Sequence, residues 1–270
     1  MDHKSSKYHT GNQMMNPLVA IYQHTVNYCR KARFPVPNAV KYNNGQAEFN
    51  DENLLSTKQK FPQPAQIIVE NIDSFDMARK MADGNSPVLV LNLASNTTGG
   101  GGVKNGARAQ EEDLFRKSNY HEVTDQRLYR LKDDEVIYSP LVHIIKDSSY
   151  KLLEQPVPVA CLAVAALRNP KLIVTDGRNS YARQVDIDIM QHKIDMIFKV
   201  AIKHGHQDLV LGALGCGVFN NPPEQVAIMF QNAISKYDLY FRRIGFAVLS
   251  KPGDINFTVF SNIFNNHVVV

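Results

Sequence analysis

Four consecutive glycines, Gly99 to Gly102, follow closely on the apolar run VLVLNLA (88–94), and after seven intervening residues come Gln110 and the adjacent acids Glu111 and Glu112. Without a Cβ the backbone adopts positive φ and approaches a ligand closely, and free N–H groups at the start of a following helix point toward anions such as a diphosphate. A second stretch, LVLGALGCGVFNNPPEQVA (209–227), repeats the device, with Gly212, Gly215 and Gly217 after an apolar run. Pro222-Pro223-Glu224 then opens the next helix, a proline and an acid being typical of a first turn. Two such loops at neighbouring strand ends grip a diphosphate from both sides, with Gly215, Cys216, Gly217, Val218 and Phe219 as the binding positions of the second. Phe219 either packs on a ribose or adenine ring or anchors its loop as a core aromatic. Neither loop carries GxxxxGK[ST] or the acid that should follow GxGxxG, so a nucleotide diphosphate is expected and triphosphate hydrolysis is not.

On a helix, neighbouring residues point about 100° apart, so Glu111 and Glu112 are not expected to aim at one atom as a shared-proton dyad. Separate duties suit them. One hydrogen-bonds ribose hydroxyls; the other, its pKa raised by a partly closed site, protonates a leaving oxygen and later takes a proton from water.

The elements that must hold these groups follow from the apolar pattern. Apolar, β-branched-rich runs occur at 66–72, 88–94, 135–145, 156–166, 209–214 and 244–250, and helical spacing at Ser74–Ala82, Ala107–Tyr120, Ala182–His204 and Pro223–Tyr237. Alternation of strand and helix predicts an α/β sandwich with a largely parallel sheet, in which ligands sit beyond the carboxyl ends of the strands. Both glycine stretches stand there. Residues 1–65, with a helical candidate at Met15–Ala32 and then FPVPNAVKYNNGQ and KFPQPAQ, read as an N-terminal extension packed on a domain of residues 66–270.

Composition sets the remaining bounds. At 270 residues, 44% hydrophobic and 21% charged, the chain has the make-up of a globular domain, with no apolar run of membrane-spanning length. MDHKSSKYHT lacks an apolar signal-peptide core, so an intracellular, by default cytoplasmic, protein is expected. Cys29, Cys161 and Cys216 are far apart and expected to be reduced; the nine histidines show no HxH or HExxH spacing, so no metal and no cofactor are expected. Cys216 has no recognisable histidine partner and reads as a small buried residue rather than a nucleophile. A net charge of +4 without clustered basic runs favours an anionic ligand but no DNA groove. Asp176-Gly177-Arg178-Asn179 reads as a polar turn.

The stretch GGGVKNGARAQEE resembles the signature of poly(ADP-ribose) glycohydrolases, a glycine triplet (Gly100, Gly101, Gly102), a spacer (Val103 to Ala109) and Gln110-Glu111-Glu112. With VLVLNLAS before it, YSPLVHIIKD (138–147) and GALGCGVFNNPPEQVA (212–227), the chain over about residues 66–250 is similar to the microbial type of that family, whose fold is a macrodomain, often preceded by a helical extension. The resemblance implies a three-layer α/β/α sandwich with a mixed, largely parallel sheet. It implies Glu112 as general acid/base at the ribose–ribose bond, Glu111 as the ligand of ribose hydroxyls, Gln110 as a group that sets the site, the glycine triplet along the diphosphate and distal ribose, and Asn96 near that ribose. Two departures stand out. Asn-Pro usually precedes the glycines where this chain has Thr98-Gly99, which suggests a more mobile loop, and the family's arginine in the later segment is matched by Lys146.

The expected activity is hydrolysis of poly(ADP-ribose) or of ADP-ribosylated proteins, releasing ADP-ribose. A hydrolase of mono-ADP-ribosylated side chains and a non-catalytic ADP-ribose-binding macrodomain are the alternatives.

Overall fold

The computed structural model describes residues 16–265 except 57, 59, 85 and 176. Its strands are β1 (Val40–Asn43), β2 (Gln66–Glu70), β3 (Leu89–Leu93), β4 (Glu135–Lys146), β5 (Leu152–Val164), β6 (Leu172–Thr175), β7 (Arg178–Tyr181), β8 (Asp208–Leu211) and β9 (Arg243–Ala247). The helices are α1 (Pro17–Ala32), α2 (Asp51–Ser56), α3 (Ser74–Met81), α4 (Gln110–Lys117), α5 (Tyr120–Val123), α6 (Gln184–Lys203), α7 (Pro223–Tyr237) and α8 (Asn256–Asn265). Seven strands form one sheet in the order β1-β4-β5-β3-β8-β9-β2, and β6 and β7 pair apart from it. From β5 to β2 all neighbours are parallel; β4 runs antiparallel to β5 and β1 antiparallel to β4. The mixed, mostly parallel α/β architecture is the one expected.

Strict alternation along the strands builds two cores. Leu89, Leu91, Leu162, Val164, Leu209, Leu211 and Phe246 face Phe198, Phe230 and Phe260 of α6, α7 and α8. Val90, Val159, Cys161 and Val210 face Tyr22 of α1, Phe75 and Met77 of α3, and Phe115 of α4. With a period of two, each strand offers alternate residues to opposite faces, and each fully buried Leu or Phe contributes about 1.5–3 kcal/mol.

The sheet also splits between β3 and β8. β3 pairs with β5 through all five residues, Leu89↔Ala160 to Leu93↔Val164, but with β8 only at Leu89↔Leu209 and Val90↔Val210. Beyond Val90 the two strands part, and the two glycine loops leave from their carboxyl ends on either side of that gap.

The expected helix at Met15–Ala32 is α1, which starts at Pro17; Met15 lies outside the described residues. Asn16 caps it, its side chain accepting from the Leu18 N–H at 2.9 Å. α1 packs on the α4 side of the sheet, and β1, from a segment crowded with Pro, Asn and Gly, adds an edge strand. The helix expected from Ala107 begins at Gln110, because Gly102–Gly106 folds into a 3-10 turn closed by Gly106 at φ 77° and Ala109 is extended. A side chain at Gly106 would strike Asn16, so the turn and the start of α1 meet backbone to side chain. Among the described residues no helix is long and apolar enough to cross a membrane, and all three cysteines are free.

Candidate active site

The late start of α4 puts Gln110, Glu111 and Glu112 at its first three positions, and the glycine loop curls over that helix end. Gly100 and Gly101 have φ of 84° and 50°, a region in which a side chain is strained. Every glycine N–H of the loop is taken within the protein. Gly99 donates to Gln126 Oε1 at 3.1 Å, Gly100 to Glu111 Oε1 at 3.1 Å, Gly101 to the Thr98 carbonyl at 3.0 Å and Gly102 to Glu112 Oε1 at 2.8 Å. The sequence points these N–H groups toward a diphosphate; in the structure the Gln126 amide and the Thr98 carbonyl take two of them, and the two carboxyls at the helix N-terminus take the other two. Gly99, which suggested a mobile loop, is buried, and the Gln126 amide also donates to its carbonyl at 2.8 Å.

Glu111 and Glu112 diverge on the helix as expected and serve different atoms, yet both reach the loop, so that a Cβ on Gly101 would lie 2.4 Å from Glu112 Oε1 and 3.2 Å from Glu111 Oε2. Glu112 completes its hold through Oε2, which accepts the Ala109 N–H at 3.1 Å, the carboxylate half of a capping box. Gln110 is a brace. Its Oε1 accepts the Leu93 N–H at 2.9 Å and its Nε2 donates to the Leu91 carbonyl at 2.8 Å, supplying β3 with the partner it loses where β8 turns away. Behind the first turn, Lys117 is buried between Asp73, the cap of α3, and Asp113, at 2.6 and 2.5 Å, which fixes α4 against its neighbour.

Glu111 is 2% exposed. Besides Gly100, it accepts from Asn92 Nδ2 at 3.2 Å and from the Ser95 N–H at 2.7 Å. Burial raises its pKa to about 7 against the pull of these donors, and the neighbouring Glu112 adds to the rise. The carboxyl with the raised pKa is thus the one implied to bind ribose. Because its folded value lies above the ordinary 4.5, the folded state holds an extra proton between those values, and stability is lost as pH rises from about 4.5 to about 7. That loss is on the order of 3 kcal/mol. Glu111→Gln is expected to flatten this slope: melting temperatures of wild type and variant diverge in the variant's favour from pH 5 to 8, whatever constant offset the exchanged amide brings. Parallel curves would show that Glu111 does not titrate in this window.

The second loop is organised by Asn221, which is 2% exposed. Its Nδ2 donates to the carbonyls of Leu167, Gly215 and Phe219, at 2.7, 3.1 and 3.3 Å, and its Oδ1 accepts from the Tyr181 hydroxyl at 2.7 Å. Gly215, at φ 75°, has no room for a Cβ beside Ala166 and Asn221. With the carbonyls drawn inward, the N–H groups of Gly215, Gly217, Val218 and Phe219 make no hydrogen bond among the described residues. Here, then, is the array of donors suited to an anion. Val218 is exposed, and Phe219 is half-buried with the Arg168 guanidinium 6.0 Å from its ring centre. Burial raises the Cys216 thiol well above its ordinary value, in keeping with an inert residue.

Asn96 is partly buried and its carbonyl accepts the Leu131 N–H at 2.8 Å. Lys146 stays away from the glycine loops: its Nζ donates to the Ile21 carbonyl at 3.1 Å and Thr25 Oγ1 at 2.7 Å, tying β4 to α1. Of the expected polar turn, Asp176 lies outside the described residues and Arg178–Asn179 belong to β7. A groove of about 900 Å³ between α1 and the outer side of the glycine loop is lined by Tyr22, Arg30, Gly99, Gly101, Phe115 and His121, and neither glutamate borders it. Asn92, Gln126 and Asn221 were not singled out from sequence. Asn92 had a signal, an amide in the middle of a buried apolar strand; the other two act only through the fold.

Residues 17–147, which contain the first loop and both glutamates, match the family model described as the catalytic domain of microbial-type PARG. Poly(ADP-ribose) glycohydrolase from Thermomonospora curvata is similar in structure, with 27% identity, a TM-score of 0.76, and 92% of this chain and 99% of that one covered. The same enzyme bound to the inhibitor ADP-HPD gives 26% and 0.72 over 92% and 99% of the chains. Poly(ADP-ribose) glycohydrolase from Deinococcus radiodurans in complex with ADP-ribose gives 26% and 0.72 over 93% and 98%. No curated protein sequence matches the chain. A family model that spans the first loop and its two carboxyls, and likeness of fold to bacterial poly(ADP-ribose) glycohydrolases over nearly the whole chain, make the microbial type of that family what this protein is similar to.

Proposed function

We infer that the protein hydrolyses the ribose–ribose O-glycosidic bond of poly(ADP-ribose) and releases ADP-ribose. The observation that carries the reading is the pair of donors on Glu112, Gly102 N–H and Ala109 N–H, which aim one carboxyl across a glycine loop beside a second loop rich in free N–H groups. The second loop holds the diphosphate, and Phe219 packs on the nucleoside. Glu112 gives its proton to the departing ribose oxygen as the bond to the anomeric carbon breaks through an oxocarbenium-like state. Water then adds to that carbon and returns a proton to Glu112, so the acid is regenerated. Glu111 holds ribose hydroxyls, and Asn96 and the glycine backbone line the distal sugar. Fixing the diphosphate keeps the scissile bond at the carboxyl, which is where proximity contributes to rate. An intracellular setting belongs to the same reading, its support being the three free thiols.

The test is incubation of the purified protein with poly(ADP-ribosyl)ated protein, following free ADP-ribose. Release that leaves the protein-linked unit behind is expected. Release of the last unit from a mono-modified protein would move the assignment to the side-chain hydrolase, and binding of ADP-ribose without any release would make the protein a reader.

A further inference from the structure

α1 and α5 bring together three side chains that no step above uses. The Cys29 thiol, a His121 ring nitrogen and a Glu122 carboxylate oxygen lie within 4.8 Å of one another. Cys29 is fully buried, and His121 and Glu122 are partly so. Two of the polar atoms are unspent: His121 Nδ1 and Glu122 Oε2 are buried without a hydrogen-bond partner. An unpaired buried acceptor is costly, and side chains of three ligating types meeting at one point with atoms to spare suit a cation better than they suit each other. Tyr22 packs edge-on against the His121 ring at 6.0 Å between centres and fixes its orientation. His121 and Tyr22 also line the 900 Å³ groove, which gives an ion a route from solvent.

We propose that Cys29, His121 and Glu122 form a zinc site that clips α1 to α5 beneath the groove. One sulfur, one imidazole nitrogen and one carboxylate oxygen are the donor types zinc takes, and water from the groove completes four-coordination. On binding, zinc displaces the Cys29 thiol proton to solvent, leaving thiolate and carboxylate to balance the ion's two charges. The neighbouring Lys146 ammonium favours the thiolate and opposes the cation, and its bonds to Ile21 and Thr25 hold it on the α1 side. The spacing of these residues carries no metal signature, since α1 and α5 meet only in the folded chain. The site is independent of the proposed hydrolysis, and its loss leaves Glu112 and both glycine loops untouched.

Chelator-treated full-length protein, titrated with Zn²⁺ and separately with Co²⁺, tests the proposal. One equivalent of each metal is expected to bind, and the cobalt form to show thiolate-to-metal charge-transfer absorption that Cys216→Ser retains. Cys29→Ser should abolish that absorption, and Glu122→Gln should weaken binding by more than the roughly tenfold that loss of an outer partner costs. No stoichiometric binding by wild type, or an unchanged cobalt spectrum in folded Cys29→Ser, would overturn it. If Cys29→Ser does not fold, Glu122→Gln decides alone, unchanged affinity being the adverse result.

Discussion

Glu112→Gln lowers release of ADP-ribose by roughly 10²- to 10⁴-fold, the range that positioned proton transfer contributes, while ADP-ribose still binds. The substitution keeps the size of the side chain and removes its proton chemistry. One amide oxygen retains either the Gly102 or the Ala109 N–H, and loss of the other bond costs the helix start about 1 kcal/mol, too little to unfold the chain. Binding is expected to survive because the substitution leaves the second loop, with its free N–H groups, unchanged. The measurement is single-turnover release from the polymer, with a melting shift by ADP-ribose as the control for binding. A variant that keeps a tenth of wild-type release shifts suspicion to Glu111, whose pKa of about 7 is otherwise suited to acid–base work. Geometry favours Glu112 by comparison: two donors hold it against the three on Glu111, Asn92, Ser95 and Gly100, and it is 7% exposed against 2%.

Apolar periodicity made the central strands and long helices legible, since β3, β8, β9 and the second half of β5 (Val159–Val164) are buried on both faces and α7 begins at the predicted Pro223. It did not reveal β1, only four residues long with a single buried position, or the exposed hairpin β6–β7. Direction of the strands was half legible: the short link Asp147–Lys151 joins β4 and β5 as an antiparallel pair inside a sheet that is otherwise parallel from β5 onward. In the site, residue types marked both loops and both glutamates, but the division of labour was hidden. Which N–H groups stay free depends on where α4 starts, and that was set three residues later than spacing suggested by the left-handed Gly106 and the extended Ala109. The cluster at Cys29 was illegible for a related reason, its members belonging to helices that touch only after folding.

Gly101→Ala is expected to cost activity far more than stability. At φ 50° an alanine is strained by about 1–2 kcal/mol, and its Cβ, placed 2.4 Å from Glu112 Oε1, cannot coexist with that carboxyl. The obstacle is the far end of a side chain, so the protein yields by swinging the Glu112 carboxyl off the Gly102 N–H rather than by unfolding. Displacement by about an ångström costs on the order of 10²-fold in rate. Gly205→Ala supplies the comparison, since Gly205 has a similar φ of 73° with nothing within 4 Å of its would-be Cβ and follows α6, away from both loops. The two variants should lose similar thermal stability, and only Gly101→Ala should lose release while ADP-ribose still raises its melting temperature. Equal activity in the two variants would mean that the carboxyl tolerates displacement, and that the hold of Gly102 on Glu112 does not position the reacting group.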